Sequence, residues 1–316
     1  MSSEGRILLI GQGITTLSAL QSLLDRFDVV GMVRSSDAGD AANRLAESAG
    51  VALFADTSLA GVTCAIKQTD PHAVVVSSYD RILPADLVSA RPFVNVHYAP
   101  LPRYRGRATV NWAIINGEPR CAISIHSLVA GLDAGGILFQ QFVPIGPPDT
   151  VTDLYERLNA IQRDELAGAV ARRLQGDEGQ PQDESQATYA CTRLPEDGEI
   201  DWSASTEAAD RLVRALTDPF PGAFTWLGLR RLVIRRAEPC REPRYEGRVP
   251  GRVVRIDRSA GAVDVLTGDG VLRLHEVALD GAAPQRAADL IRSVRQTLGL
   301  STTRLAAALE GREART

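Results

Sequence analysis

RILLIGQGITTLSALQSLLDRFDVVGMVR, residues 6–34, carries the fold in miniature. Residues 6–13 are a short apolar run that closes on Gly11 and Gly13, the pattern of a buried parallel strand followed by a turn. Ile14, Leu17, Leu20 and Leu24 then recur at helical spacing across 14–25. DVVGMVR, 28–34, is a second strand. Strand, helix and strand in so short a stretch make one unit of a doubly wound sheet.

The same alternation continues outward. ANRLAESAGV, 42–51, reads as a helix closing on Gly50. HAVVVSS, 72–78, and FVNVHY, 93–98, read as strands three and four. ATVNWAIING, 108–117, is a helix stopped by Gly117, and CAISIHSL, 121–128, alternates like a strand. ILFQQFVPI, 137–145, is another strand, separated from the last by a turn rich in Gly and Asp. A long amphipathic helix follows at 151–175. The expected fold class is α/β, a mostly parallel, Rossmann-like doubly wound sheet.

Residues 176–190 are polar and poor in large apolar side chains, which suits a linker. Beyond them a helix near 205–217 precedes DPFPG, and short strands at 231–237, 251–256, 262–267 and 271–277 are separated by glycine turns. That texture suggests a small β-barrel, OB-like, closed by a helix near 284–298. The expected organisation is an N-terminal domain at 1–180, a linker at 181–195 and a barrel domain at 196–316. A chain of 316 residues is long enough for two such cores.

Charge and composition narrow the function. The 35 basic and 39 acidic side chains leave a net charge of −4, whereas a chain built to hold nucleic acid is usually basic. Lys67 is the only lysine, so there is no Gly-Lys-Ser/Thr phosphate loop and no expectation of a Schiff-base lysine. Cys64, Cys121, Cys191 and Cys240 lack zinc-ligand spacing, and no metal is expected. The start MSSEGRILLIGQG does not read as a secretory signal, and no apolar run of about 18 residues exists to span a membrane. The expectation is a cytoplasmic protein with no membrane association. Oligomeric state is not legible. GQGITT, 11–16, invites a dinucleotide reading, but Thr16 stands at the third glycine position and Val33, Arg34 and Ser35 replace the acidic end of the second strand. A tight strand-to-helix turn accounts for Gly11 and Gly13.

The chemistry is concentrated in FVNVHYAPLPRYRGRATVNWAIINGE, 93–118. Residues two apart on a strand share a face, so Asn95 and His97 point together. They stand at the carboxyl end of a parallel strand, where open α/β sheets place their sites. Taken singly, His97 equally fits a core histidine bonded to backbone, and Asn95 a turn cap. GLDAGG, 131–136, adds Asp133 among glycines that let backbone approach a ligand closely. Asn, His and Asp together can polarise a carbonyl, take a proton and orient a water, which is the set that acyl transfer to an amine requires.

NVHYAPLPRYRG resembles the N-x-H-x-S-L-L-P-x-x-x-G signature of the formyltransferases that use 10-formyltetrahydrofolate, and GLDAGGIL resembles their D-x-G loop. PEDGEIDW, 195–202, and DPFPGAF, 218–224, resemble the landmarks that open the C-terminal barrel in the methionyl-tRNA and sugar-nucleotide members. The likeness spans about residues 6–298. It implies 10-formyltetrahydrofolate as co-substrate and Asn95, His97 and Asp133 as the catalytic groups. Asn95 and His97 would serve the oxyanion, and Asp133 would orient His97 or a water. It further implies that Arg81, Ile82 and Leu83 read the pterin, with Val129 and Leu132 on a loop over the same pocket. Two positions depart from the signature: Ala99 replaces its Ser and Pro100 its first Leu. The loop's shape there is in question.

For the acceptor, the methionyl-tRNA members carry a basic, proline-containing insertion after the second strand. Here 33–50 holds Arg34 and Arg44 against Asp37, Asp40 and Glu47, with no proline. RYRGRATVNWAIINGE is more similar to the sugar-nucleotide members, especially the 4-amino-4-deoxyarabinose formyltransferase domain. The expected partner is therefore a small-molecule amine, an amino sugar on a nucleotide carrier, and not tRNA. Methionyl-tRNA, an amino acid such as hydroxyornithine and a natural-product amine are the alternatives. Tyr104, Arg105 and Arg107 fit a pyrophosphate contact or solvated loop residues. His126 fits the acceptor side or a packed strand histidine. A folate- or nucleotide-sensing module without turnover is the non-enzymatic alternative.

Overall fold

The computed structural model describes residues 4–35 and 40–309. Residues 1–3 of the chain's start, Asp37 of the acidic stretch and the last residues of the expected 196–316 domain lie outside them. The chain divides into two compact units. The first takes the described residues up to Val110, with Pro119–Ile145 and Asp153–Thr192. The second takes Asn111–Glu118, Gly146–Thr152 and the described residues from Arg193 onward.

In the first unit the chain runs β1 (Arg6–Gly11), α1 (Thr16–Leu24), β2 (Asp28–Val33), α2 (Ala41–Ser48), β3 (Leu53–Phe54), α3 (Leu59–Thr69), β4 (Ala73–Ser77), α4 (Ala85–Ser89), β5 (Phe93–His97) and β6 (Arg105–Gly106). Next in the chain comes α5 (Thr109–Ile115), most of which falls in the second unit, and then β7 (Arg120–Ser127), β8 (Ile137–Pro144), α6 (Val151–Leu174), whose first two residues fall in the second unit, and β9 (Tyr189–Ala190). The main sheet has the order β3-β2-β1-β4-β5-β7-β8. Its first five strands are parallel, and β7 and β8 add an antiparallel hairpin at one side. Leu8, Ile10, Val74, Val76 and Phe93 pack with Val62, Ala65 and Ile66 of α3 in one buried cluster. Strands covered on both faces need such unbroken apolar runs. Helix starts are set locally: Ser58 caps α3 by accepting from the Gly61 amide, and Asp40 caps α2 through the Ala42 amide. Strand order reverses direction between β1 and β4, and β4's neighbour β5 ends at the same edge. Open α/β sheets bind ligands at that edge.

The segment read as a linker lies within the first unit. β9 pairs with β6, and the unit boundary falls between Thr192 and Arg193. Several of the polar side chains that suggested a linker, among them Gln182, Asp183, Glu184 and Thr188, are used in hydrogen bonds.

The second unit contains α7 (Thr206–Ala215), β10 (Ala223–Leu227), β11 (Arg230–Cys240), β12 (Val253–Asp257), β13 (Ala262–Leu266), β14 (Val271–Leu279), β15 (Gln285–Arg286) and α8 (Ala287–Leu290). The strands form one antiparallel sheet, β10-β11-β14-β13-β12, with β15 on β14. Trp202 and Thr225 are buried together, the indole donating to the hydroxyl at 2.8 Å. The helix expected at 284–298 is only the four residues of α8. Ile291 is already extended. From there the chain covers the edge of β12: Val253 donates to the Gln296 carbonyl and Leu298 to that of Gly251. Satisfying an exposed strand edge outweighs helical propensity in this stretch.

Candidate active site

β5 presents Asn95 and His97 on one face, with Val94 and Val96 buried on the other. β7 lies antiparallel beside it, in a register that sets His126 opposite Asn95 and Ser124 opposite His97. The connection from β7 to β8 returns over the strand end and delivers Asp133, whose φ is +48°. Glycine is required next to it. A Cβ on Gly135 would occupy the Ser127 carbonyl, and one on Gly136 the Glu178 carbonyl.

The polar groups form one connected cluster. His97 Nε2 donates to the Tyr104 carbonyl at 2.8 Å, so a neutral ring carries its lone pair on Nδ1. That Nδ1 stands 3.8 Å from Asp133 Oδ2, close for charge interaction but too far for a hydrogen bond. Asp133 Oδ2 accepts from the Gly106 amide at 2.9 Å. Its Oδ1 accepts from Asn95 Nδ2 at 3.2 Å. Asn95 Nδ2 also reaches His126 Nε2 at 3.1 Å, and His126 Nδ1 donates to the Ser127 carbonyl at 2.8 Å. Both hydrogens of the Asn95 amide are thus engaged. Asn95 can serve a developing oxyanion only by releasing Asp133.

Burial pushes the pKa of His97 below its ordinary value, and the opposing pull of Asp133 and the Tyr104 carbonyl is smaller. Asp133 moves the opposite way from what burial alone would give. Its burial favours the neutral acid, but the neighbouring His97 and His126 rings and the hydrogen bond from the Gly106 amide hold the carboxyl well below the usual range. The pair is therefore a neutral imidazole beside a carboxylate near neutrality. Nδ1 can take a proton, and Asp133 stabilises the imidazolium that results.

The cluster opens into a cavity of about 790 Å³, within the range of small-molecule sites. Asn95, His97 and Asp133 line it, as do Arg81, Ile82, Leu83, Val129 and Leu132. Ile82, Val129 and Leu132 are exposed apolar side chains, so its rim is greasy. Arg107 also lines it and is exposed.

Other expected acceptor contacts stand elsewhere. Arg105 is a correction: it is 2% exposed, and its guanidinium is held by Glu184 at 2.6 and 2.9 Å and by Gln182 at 2.8 Å. Four of its N–H groups are engaged in these bonds, and it does not line the cavity. Tyr104 contributes its carbonyl to His97 rather than its ring to the wall. His126 is buried behind Asn95, a packed strand histidine with both ring nitrogens engaged. Gln12, Thr15, Ser78, Tyr155 and Thr192 reach the wall without having been singled out in the sequence. Gln12 and Ser78 follow the ends of β1 and β4, so the strand-order reversal was an available signal for them. Thr192 had none.

The inner side of the glycine turn is filled by protein, while Gln12, Gly13 and Thr15 face the cavity. A Cβ on Gly11 would collide with the Thr16 side chain. Arg34, where an acidic ribose ligand would stand, turns inward and donates to the Gly11 carbonyl at 3.2 Å, to Thr16 Oγ1 at 3.0 Å and to Asp40 at 2.7 Å. Ala99 is buried, and its carbonyl accepts from Ser124 Oγ at 2.6 Å while Gln140 donates to the Leu101 carbonyl. Those bonds shape the loop at the departure from the signature. Among the described residues, no group of three or more His, Cys, Asp or Glu is arranged to hold a metal ion, and no helix is long and apolar enough to cross a membrane.

Residues 25–170 match the family model described as formyl transferase, and residues 194–295 match that of the formyl transferase C-terminal domain. A methionyl-tRNA formyltransferase from Marinobacter nauticus is 32% identical over 308 residues, 93% of this chain and 97% of that one. The crystal structure of HypX from Aquifex aeolicus in complex with tetrahydrofolic acid is similar over 92% of this chain, with a TM-score of 0.66 and 19% identity. This chain spans 48% of that one, about half its length. A sugar N-formyltransferase from a Shewanella species is similar over 69% of this chain and 91% of its own, with a TM-score of 0.55 and 23% identity.

Proposed function

The chain belongs to the formyl transferase family, and from that premise we propose that it moves the formyl group of 10-formyltetrahydrofolate onto the primary amine of a small molecule, an amino sugar carried on a nucleotide. The carrying observation is the Asn95–His97–Asp133 cluster opening into one cavity. The donor fits that cavity: the apolar rim of Ile82, Val129 and Leu132 suits a planar ring system, and Arg81 lies in the same wall. When bound, the donor supplies an activated formyl carbon. The amine attacks that carbon with its lone pair, so it must arrive uncharged. A C–N bond forms, and the carbonyl electron pair moves to oxygen. His97 Nδ1 takes the proton the amine gives up. Asp133 stabilises the imidazolium, which shares its charge with the developing oxyanion. The electron pair then returns from oxygen, the bond to the folate nitrogen breaks, and His97 returns the proton to that nitrogen. Atoms and protons balance without a metal or a covalent enzyme intermediate.

The acceptor assignment rests on the stretch after β2. Its Arg34 is buried and paired with Asp40, so Arg44, exposed on α2 one turn before Glu47, is the one cation of its described residues that faces solvent, a sparse charge for clamping phosphates. A second reading, methionyl-tRNA as acceptor, is favoured by two observations. The 32% identical relative is a methionyl-tRNA formyltransferase, and residues 230–258 hold ten arginines against four acidic residues. The test is consumption of formyl donor against a panel of amines at one salt concentration, with amino-sugar nucleotides and charged methionyl-tRNA side by side. Efficient turnover of the nucleotide-linked amine supports the proposal. Turnover of methionyl-tRNA alone overturns it in favour of the second reading. Turnover only of an amine without a diphosphate keeps formyl transfer and discards the nucleotide.

A further inference from the structure

Both partners that aim the proposed catalytic pair come from one short segment. Tyr104 supplies the carbonyl that orients His97, and Gly106 supplies the amide that holds Asp133 Oδ2. Neither residue is a member of the main sheet. Tyr104 sits at φ +59°, an uncommon conformation for a residue with a Cβ. Gly106 sits at φ +105° and packs so closely on Ala190 that a Cβ would meet its carbonyl at 2.8 Å. What fixes the segment is the strap at 182–190. Arg105 N donates to the Thr188 carbonyl and Tyr104 N to Thr188 Oγ1, each at 2.9 Å, and β6 pairs with β9.

The strap reaches the other side of the pair as well, through one side chain. Gln182 Nε2 donates to the Asp133 carbonyl and to the Gly135 carbonyl, both at 2.7 Å. Its Oε1 accepts from Arg105 Nη2 at 2.8 Å and Nε at 3.3 Å. Arg105 is fixed in turn by Glu184. The orientation of the carboxamide is therefore dictated: oxygen to guanidinium, nitrogen to the two carbonyls. Asp133 is itself in a left-handed conformation, which persists only where surrounding contacts over-determine it.

We propose that Gln182 is a positioning residue for formyl transfer, its carboxamide locked by Arg105 and clamping the backbone of the Asp133 loop so that the carboxylate faces His97. It touches no reacting atom. The inference rests on the reading of Asp133 and His97 as the catalytic pair. It adds a residue about 50 positions further along the chain, in a stretch whose composition suits a linker.

Gln182→Ala removes the clamp and leaves Arg105 its bond to Glu184. Gln182→Glu keeps the shape and the partner to Arg105 but has no N–H for the carbonyls. Both variants are assayed in the full chain with Asp133→Asn alongside. Thermal melting and circular dichroism check that each is folded. The expected result is a kcat lower by about 10- to 10²-fold in both Gln182 variants, on the scale of a catalytic group displaced by an ångström. The Michaelis constant for the folate donor should change by less than about threefold, as for a loss confined to the transition state. The pH profile gives a readout that a scaffold role would not move. Asp133 raises the pKa of His97, so a loosened Asp133 shifts the acid limb of kcat/KM, corrected for the uncharged fraction of the amine, to lower pH. Wild-type kcat in either folded variant overturns the proposal. So does a loss with an unshifted acid limb, or one that appears equally in the donor's Michaelis constant. Loss of fold in both variants also overturns it, because the residue would then be a stability element. Full activity in Asp133→Asn would instead remove the catalytic reading beneath it, and is scored separately.

Discussion

The turn after β1 and the loop after β7 both announce themselves by glycine, and they are opposite kinds of place. At Gly11 and Gly13 the glycines admit protein: the Thr16 and Ser78 side chains and the inward Arg34 fill the inner side of the turn, and only its outer side, Gln12, Gly13 and Thr15, forms cavity wall. At Gly135 and Gly136 they let backbone pass close to backbone so that Asp133 can face a cavity. The difference lies in what the polar groups have left over. Arg34 spends its donors on two turn carbonyls, Thr16 and Asp40. His97 keeps Nδ1 without a hydrogen bond shorter than its 3.8 Å approach to Asp133, and that unspent atom is the chemical resource. Glycine spacing identifies tight backbone; an unspent polar atom beside space identifies a site.

The sharpest way to break the contrast is to delete groups at the second place. His97→Ala and Asp133→Ala should each lower turnover by about 10²-fold or more, the scale of a lost acid–base group. Melting should fall as well, most in Asp133→Ala, which leaves Asn95 Nδ2 and the Gly106 amide without their acceptor, so turnover is compared in the folded fraction. Formyl-donor consumption and a thermal melt on the same preparations decide it. Near-wild-type turnover in either variant would falsify the catalytic pair.

The first place should respond the other way. Arg34→Met leaves Asp40 unpaired and two turn carbonyls without their donor. Asp40 is partly exposed, so the cost should fall below the roughly 3–5 kcal/mol of a fully buried broken pair, at about 2–3 kcal/mol. Urea unfolding measures it. Turnover in the folded fraction should remain within about threefold. A large loss of turnover at unchanged stability would move the turn into the site.

Most of the sheet was legible because its strands are continuous apolar runs, as burial on both faces demands. The pair Asn95 and His97 was legible because strand alternation puts them together, and Asp133 because its glycine loop is a local signal. Arg105 was misplaced for a physical reason. In sequence it is one basic residue of an exposed-looking loop, and its partners Gln182 and Glu184 lie about 80 residues away. The strap at 182–190 was hidden by the same fact, since polar residues that hydrogen-bond each other have the composition of polar residues that face water. The helix expected at 284–298 failed because edge pairing with β12 is invisible to local propensity.

A pH profile sharpens the role of burial. His97 must be neutral to accept a proton, and burial lowers its pKa below the ordinary 6.5. The kcat/KM of the wild type, corrected for the fraction of acceptor amine that is uncharged, should hold as pH falls through 6.5 and decline only below it, tenfold per pH unit on the limb. Stability follows the same sign. A histidine whose folded pKa is depressed binds its proton first in the unfolded chain, so this group's contribution to stability falls as pH drops below 6.5. An acid limb at or above 6.5 would show that the imidazole is not desolvated.

The smallest expected effect concerns the two arginines that flank Gly106. Sequence alone treats Arg105 and Arg107 alike as candidates for a pyrophosphate. The structure separates them: Arg105 is buried and tied to Gln182 and Glu184, whereas Arg107 is exposed in the cavity wall. If the acceptor carries a diphosphate, Arg107→Ala should raise its Michaelis constant by about three- to tenfold, because an exposed ionic contact is screened and worth about 1 kcal/mol. The donor's Michaelis constant should stay within about twofold, and the acceptor effect should shrink as salt is added. Equal changes for donor and acceptor would place Arg107 against the folate. An unchanged acceptor constant at low salt would mean that no anionic group of the acceptor reaches this side of the cavity, and the nucleotide carrier would lose its support.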